Sequence, residues 1–161
     1  MRTNKTTNVN EKIPEKRMRK TINDLTLSDS FMFYAVMQDY ELCKETLEVL
    51  LDISIDKIVY LEGEKVIQPG YDSKSIRLDV YVKDDKQTVY NLEMQADCKK
   101  NIGKRTRYYQ GTIDREQLLR GSDYDELDEC LILFICRFDL YNRNRAMYEF
   151  RYKNKGQGMS S

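Results

Sequence analysis

Two neighbouring segments of the chain alternate apolar and polar residues with a period of two. They are IRLDVYVK at 76–83 and VYNLEMQA at 89–96, with the apolar residues mainly at even-numbered positions. A period of two is the pattern of a β-strand with one buried face. The residues between the two segments, DDKQT at 84–88, suit a hairpin loop. The pattern therefore predicts an antiparallel hairpin.

The register of this hairpin decides which polar side chains meet. If Lys83 pairs with Val89, then Asp79 lies opposite Glu93, and Gln95 lies on the same face two residues beyond Glu93. Directly opposed side chains lie about 4.5–5.5 Å apart at Cβ on one face of a sheet. A shift by one residue would send the two acids to opposite faces. The predicted juxtaposition therefore depends on this register.

The rest of the chain predicts helices before and after the hairpin. Ser and Asp residues suited to cap helices precede two apolar-rich segments, which predicts helices at 29–38 and 40–51. A strand is predicted to end near Gly63, a helix to cover 104–120, and a last strand to follow in LILFICRF at 131–138. A helix between two strands of one sheet normally makes a right-handed parallel crossover. The order αβββαβ therefore predicts an α/β fold with a small mixed sheet flanked by helices.

Length and charge divide the chain into three parts. Its 161 residues suit one domain with its own core, which we expect at 25–150. Residues 1–24 carry seven Lys or Arg against three acids, which predicts a flexible basic arm, either a solvated tail or a DNA contact. Residues 151–161 are expected to form a disordered tail, consistent with a truncated chain. Basic and acidic residues both number 27, so attraction to nucleic acid must come from local clustering.

Several classes of function are excluded by residue type. The chain has no histidine, which excludes Ser–His and Cys–His nucleophilic catalysis. Its four cysteines include no C-x-x-C pair, so a zinc site is not expected. No segment approaches the roughly 18 apolar residues of a membrane helix, and the polar start does not resemble a secretory signal. A cytoplasmic protein is expected, with any catalysis resting on carboxylates, amides, Lys, Tyr or a bound metal ion.

The acidic residues of the hairpin indicate a cation site. Two carboxylates held close together repel each other, and one stays protonated unless a cation joins them. Mg²⁺ suits Asp79 and Glu93, because it takes one or two carboxylates plus water and phosphate oxygens; Mn²⁺ is an alternative ion. Gln95 would lie on the same face and hydrogen-bond the water or the phosphate. The competing interpretation is that these residues are the solvated face of a hairpin.

A basic segment follows the acidic hairpin. Residues 99–120 contain seven Lys or Arg against two acids. Such a segment suits a polyanion that lies across a cation site, although it also fits an ordinary charged helix surface. The predicted contacts to a DNA backbone are Arg105, Arg107 and Gln110.

These segments resemble a known family. Taken together, IRLDVYVKD, VYNLEMQ, KRTRYYQGTID and LILFICRFD resemble the PD-(D/E)XK nuclease family transposases, which are related to the recombination-promoting nucleases. The similarity runs from about residue 28 to residue 141. The resemblance implies a restriction-endonuclease-like αβββαβ core, Mg²⁺-dependent cleavage of DNA, and a link to mobile elements.

The resemblance also implies roles for individual residues. Asp79 takes the place of the first acid of the motif and Glu93 that of the second, as catalytic residues and metal ligands. Gln95, the third catalytic residue, stands where the superfamily has lysine, and glutamine is usual in this branch. The first helix of the superfamily often lends a further acid, for which Glu41 and Glu45 are the candidates.

Three functions follow as hypotheses. The first is a metal-dependent endodeoxyribonuclease associated with transposition or recombination. The second is a DNA-binding remnant of a truncated transposase-type nuclease that no longer cleaves. The third is a protein-interaction domain whose hairpin binds no cation. The sequence leaves open whether the protein forms a homo-oligomer.

Overall fold

The order of helices and strands is the predicted one, with two helices followed by three strands, a helix and a last strand. A computed structural model describes residues 24–98 and 101–151. Residues 1–23 and 152–161, which hold nearly all of the predicted arm and tail, lie outside the described residues, as do Lys99 and Lys100. The elements are α1 (Ser30–Met37), α2 (Tyr40–Leu51), β1 (Ile58–Ile67), β2 (Ile76–Asp84), β3 (Val89–Gln95), α3 (Ile102–Gln117) and β4 (Cys130–Cys136).

The four strands form one mixed sheet in the order β1-β2-β3-β4. Strands β1, β2 and β3 pair antiparallel as a meander, as short connections between successive strands allow. Strand β4 pairs parallel with β3 because α3 lies between them in the chain and returns it to the same end of the sheet. The α/β class and the mixed sheet with flanking helices are confirmed.

Helix α2 shows why these segments become helical. The Asp39 side chain accepts a hydrogen bond from the Leu42 backbone N–H at 3.0 Å, which satisfies one of the free donors of the first turn. The helix ends at Asp52, which adopts the left-handed conformation with φ 54°. Its buried residues, Cys43 and Leu47, lie four positions apart on one face.

One core cluster fills the space between the first two helices and the sheet. Phe33 of α1 and Leu47 of α2 pack there with Val80 and Val82 of β2 and with Leu92 of β3, and all five are fully buried. Complete burial of large apolar side chains is worth about 1.5–3 kcal/mol each. This cluster therefore anchors both helices to the hairpin.

Helix α3 covers the opposite face of the sheet. Its Ile113 is fully buried against Leu78, Tyr81 and Val89. The residues of β4 alternate between the two clusters, as successive side chains of a strand do. Leu131, Leu133 and Ile135 pack against the first cluster, and Cys130 and Ile132 against the second. The expectation that β4 is covered on both faces is confirmed.

Strand β1 is longer than predicted. Gly63 was expected near its end, but the strand continues to Ile67 before the predicted turn. A Cβ atom at Gly63 would collide with the ring of Tyr34, which lies against the strand. The glycine is therefore there for close packing of α1 on the sheet, a requirement that local sequence does not reveal. None of the helices among the described residues is long and apolar enough to cross a membrane.

Candidate active site

The hairpin adopts the predicted register as far as its backbone pairing extends. Lys83 pairs with Val89, and Val80 with Leu92 is the last backbone pair between β2 and β3. One position further along, side chains connect the two strands. The backbone N–H of Asp79 donates to Oε1 of Glu93 at 3.2 Å, and the backbone N–H of Met94 donates to Oδ2 of Asp79 at 3.0 Å. Each acid side chain thus accepts a hydrogen bond from the backbone of the other acid's strand, at the point where the backbone ladder ends.

The strand is irregular at Asp79. Leu78 packs on the α3 side of the sheet and Val80 on the side of α1 and α2, although residues two apart in a regular strand share a face. On the neighbouring strand β1, Glu64 lies opposite Asp79, between the pairs Gly63–Val80 and Lys65–Leu78, and has a positive φ of 53°. Irregularities of this kind are common next to active sites, where they re-aim a side chain.

Glu93 is buried in a polar environment. Its exposed fraction is 3%, and Oε1 accepts a second hydrogen bond from Nδ2 of the fully buried Asn91 at 3.1 Å. Nη2 of Arg105 lies 3.5 Å from Oε2. Gln95 is 6% exposed. The interpretation of Glu93 and Gln95 as part of a solvated hairpin face is therefore wrong, because Arg105 of α3 lies over both. Asp79 is partly buried.

Burial raises the pKa of both carboxyl groups. The pKa of Glu93 rises to about 7 because of burial first and the neighbouring Asp79 charge second. Hydrogen bonds from Asn91 and the Asp79 backbone, together with the Arg105 charge, act in the opposite direction. Burial also raises the pKa of Asp79 against the lowering effect of the Met94 N–H. Such a pair of like charges favours a cation or a shared proton.

Arg105 is fixed beside this pair. Its Nη1 donates to Oε1 of Gln95 at 2.5 Å, and its Nη2 donates to the hydroxyl of Tyr109 at 3.2 Å. The guanidinium lies 5.4 Å from the ring centroid of Tyr109 and 4.9 Å from that of Phe134. Stacking and hydrogen bonds together hold this group in one orientation. The Gln95 amide is used on both sides, since its Nε2 donates to the Asp97 carbonyl at 2.8 Å.

The three predicted DNA contacts on α3 are not brought together. Arg105 lies in the cluster of Glu93 and Gln95. Arg107 is exposed and lines a groove on another flank of the helix. Gln110 donates to Asp114 at 2.9 Å and is partly buried.

The predicted further acid of the first helices does not join the pair. Glu41 and Glu45 are both exposed on α2. Within 24–98 and 101–151, no three His, Cys, Asp or Glu residues form a cluster that could hold a metal ion. Any cation at Asp79 and Glu93 would therefore take its remaining ligands from water, a substrate or neutral oxygens.

The oxygen atoms around the pair fit a magnesium-type ion. Within the described part of the chain, Oδ1 of Asp79 accepts no hydrogen bond and Oε2 of Glu93 has only the 3.5 Å contact to Arg105. Oδ1 of Asn91 is buried without any partner. Mg²⁺ binds oxygen donors and commonly uses one or two carboxylates plus waters. Asp79 thus keeps Oδ1 free for such an ion, and Glu93 offers Oε2, whose contact to Arg105 is long.

Two residues of the site were missed from the sequence. Asn91 lies two positions before Glu93 on the same strand, so the alternation that selected Glu93 and Gln95 also pointed to it. Tyr109 follows Arg105 by four positions, the spacing at which side chains meet on a helix. Asn91 was missed because the family resemblance assigns roles on the hairpin to Asp79, Glu93 and Gln95 alone. Tyr109 was missed because a tyrosine carries no charge that would single it out.

Comparison with known proteins gives one finding. A family model described as PD-(D/E)XK nuclease family transposase matches residues 32–160. This span contains all of the candidate site residues and every helix and strand described above, apart from the first two residues of α1. Neither the curated proteins nor the solved structures include a match to the chain.

Proposed function

The chain belongs to the PD-(D/E)XK nuclease family transposases, and on that premise we propose that it is a metal-dependent endodeoxyribonuclease. It would hydrolyse phosphodiester bonds of DNA during transposition or recombination of mobile elements. The observation that carries this proposal is the reciprocal bonding of Asp79 and Glu93 across the end of the β2–β3 ladder. It holds two carboxylates with raised pKa values in one place.

Asp79 and Glu93 are the residues that would hold the ion, with Mg²⁺ preferred and Mn²⁺ as the alternative. When bound, such an ion lowers the pKa of water and offsets negative charge on a phosphate. Glu93 has to lose its proton to serve as a ligand, and its pKa of about 7 means that a nearby cation favours this step near neutral pH.

Arg105 would supply the positive charge that Gln95 lacks. The superfamily pattern has lysine at the position of Gln95, and here the Gln95 amide oxygen instead accepts a hydrogen bond from the Arg105 guanidinium. An arginine fixed in this way places a positive charge where it can stabilise negative charge on a phosphate. Gln95 was predicted to orient water or phosphate directly. Since its amide is used on both sides, we assign it the orientation of Arg105.

Plasmid cleavage tests the proposed function. Purified protein should nick supercoiled DNA with Mg²⁺ or Mn²⁺, and EDTA should abolish the activity. Asp79→Ala should be inactive. The control is Asp125→Ala, which removes an exposed acid that is not part of the candidate site, and this variant should nick like the wild type. Nicking that survives in Asp79→Ala would remove Asp79 from the site.

The same assay addresses the DNA-binding remnant. Glutamine in place of lysine is the observation that favours it. Salt-dependent DNA binding without nicking under Mg²⁺ and Mn²⁺ would identify the remnant and reject the nuclease. If Arg105 compensates for the missing lysine, cleavage is expected despite Gln95.

A further inference from the structure

A basic groove lies on a flank of α3 that is separate from the candidate active site. It has a volume of about 380 Å³ and runs between the helix and the β1–β2 turn. The lining residues come from both sides. They are Pro69 and Ser73 of the turn, and Lys104, Arg107, Tyr108, Gly111, Thr112 and Arg115 of α3. Their spacing of three and four residues along the helix places them on one face.

The three cations of this groove have no acidic partners. Within the described residues, Lys104, Arg107 and Arg115 make no ion pair, whereas Lys65 and Lys83 of the sheet both pair with acids. The chain as a whole carries 27 basic and 27 acidic residues, so this groove is a local excess of positive charge. Unpaired cations that face one open groove are a site for an anion.

Gly111 keeps the floor of the groove open. It lies inside α3, where glycine is less favourable than alanine because of its backbone freedom. A Cβ atom at this position would have no atom within 4 Å, so packing gives no reason for a glycine. The Tyr108 hydroxyl donates to the Lys74 carbonyl at 2.6 Å and ties the turn to the helix. The groove thus has a fixed wall and a floor without a side chain.

We propose that this groove binds the phosphate backbone of a DNA strand next to the cleavage site. The 11 residue steps from Lys104 to Arg115 span about 16 Å at 1.5 Å per residue. One DNA strand carries a phosphate about every 3.4 Å of helix axis, so the three cations match several phosphates rather than one small anion. Arg105 of the active site lies on the same helix, one residue after Lys104. The inference rests on the proposed function for the identity of the polyanion.

Two matched charge variants test the groove. Gly111→Glu adds one negative charge inside it, where the new Cβ has no atom within 4 Å. Val49→Glu adds the same charge at an 82% exposed position of α2, on the opposite side of the sheet. Binding of a fluorescently labelled duplex is measured by anisotropy in EDTA, so that cleavage does not contribute. We expect Gly111→Glu to weaken binding at least about tenfold through like-charge repulsion, and Val49→Glu to change it far less. Thermal melts show whether both variants are folded.

Salt dependence gives a second readout that does not rely on a new side chain. Arg107→Ala and Arg115→Ala should each reduce the slope of log affinity against log salt by about 0.9 if each arginine contacts one phosphate. Arg143→Ala, at an exposed position outside the groove, should leave the slope unchanged. Unchanged slopes in both groove variants would overturn the inference.

Cleavage kinetics separate this inference from the proposed function. Gly111→Glu should raise KM and leave kcat unchanged, whereas Asp79→Ala should abolish cleavage and still bind DNA. A wild type that cleaves DNA, together with a Gly111→Glu variant that binds normally, would overturn the groove and leave the nuclease standing. A wild type that binds DNA through the groove without nicking would support the groove and reject the nuclease. Inorganic phosphate that binds the groove and is not displaced by DNA would also overturn the inference.

Discussion

Glu93 carries an electrostatic cost in the metal-free protein, and removing its charge should separate catalysis from stability. Glu93→Gln keeps the volume and the hydrogen-bonding capacity but removes one of two like charges. We expect the variant to lose cleavage completely, because an amide is a poor ligand for Mg²⁺ compared with a carboxylate. The fold should be retained, with a melting temperature at or above that of the metal-free wild type. A variant that cleaves normally would contradict the assignment of Glu93.

The pH dependence of this stability difference follows from the raised pKa. Below its ordinary pKa of 4.5, Glu93 is protonated in both the folded and the unfolded protein, so wild type and Glu93→Gln should be equally stable. Between pH 4.5 and about 7 the unfolded state loses the proton first, so the metal-free wild type loses stability relative to the variant. Above about pH 7 the difference should level off. Melts across this pH range in EDTA provide the measurement, and a difference that shrinks as pH rises would contradict it.

Arg105 and Gln95 should behave as one unit. If Gln95 acts by orienting the guanidinium, then Arg105→Ala should lower kcat by about 10²-fold, the typical cost of losing one oriented donor. Gln95→Ala should lower kcat by a similar factor, and the double variant should lower kcat little more than Arg105→Ala alone. Arg105→Lys should recover only part of the activity, because a lysine cannot stack and donate in parallel as arginine does.

Steady-state kinetics of the four proteins in this cycle give the coupling energy between the two side chains. Effects that simply add would mean that Gln95 contacts water or phosphate independently, as the sequence predicted. An Arg105→Ala variant with the kcat of the wild type would show that Arg105 does not supply the positive charge used in cleavage.

The identity of the acidic pair was predictable from residues, but the environment of the pair was not. Alternation and loop length were enough to bring Asp79 and Glu93 together. The position of the Arg105 guanidinium depends on Tyr109 and Phe134, which meet only after α3 has folded onto β4. A long side chain can point in many directions, and packing selects one of them. For that reason its predicted role was a contact to the DNA backbone rather than a partner of Gln95.

At the scale of elements, the strands and helices were predictable and their irregularities were not. The sequence patterns identified seven segments in the right order, and the crossover rule gave the parallel pairing of β3 with β4. The break in alternation at Asp79 lies where side-chain hydrogen bonds to β3 replace the backbone ladder. The extension of β1 past Gly63 is paired with β2. Gly63 looked like an end signal, whereas its function is to accommodate the Tyr34 ring.

The two kinds of glycine give opposite predictions for the same substitution. Gly63→Ala should destabilise the protein by about 1–3 kcal/mol, because the new methyl group overpacks the contact with Tyr34. Gly111→Ala should stabilise it by about 1 kcal/mol, because the helix gains propensity and the methyl group enters open space. Chemical denaturation of both variants and the wild type in EDTA measures these differences. Equal effects of the same sign would contradict the packing assigned to Gly63.

The whole molecule separates its charges although its net charge is zero. The buried Glu93 and the partly buried Asp79 lie at the end of the β2–β3 ladder. Three cations that have no acidic partner among the described residues line one flank of α3. Helix α3 contacts both features. Its Arg105 lies beside the acids, and its Lys104, Arg107 and Arg115 line the groove. A single helix thus relates the proposed cation site to the groove proposed for a phosphate backbone. Composition alone could not show this, because it averages over the surface.

Stabilisation of the whole protein by Mg²⁺ is the most direct test of the cation site. A ligand that binds only the folded state raises stability by about 2.7 kcal/mol at a concentration one hundred times its Kd. We expect millimolar Mg²⁺ to raise the melting temperature of the wild type and of Asp125→Ala at pH 7.5. Asp79→Ala and Glu93→Gln should show little or no increase.

The size of the increase should also grow with pH, because protons compete with the ion for Glu93 until the pH exceeds about 7. The control for general screening of surface charge is NaCl at matched ionic strength, because another divalent ion such as Ca²⁺ would itself bind carboxylates. An equal rise in melting temperature for wild type and Asp79→Ala would place the ion elsewhere. No rise in the wild type at any pH would favour the protein-interaction domain, since that hypothesis requires no cation at the hairpin.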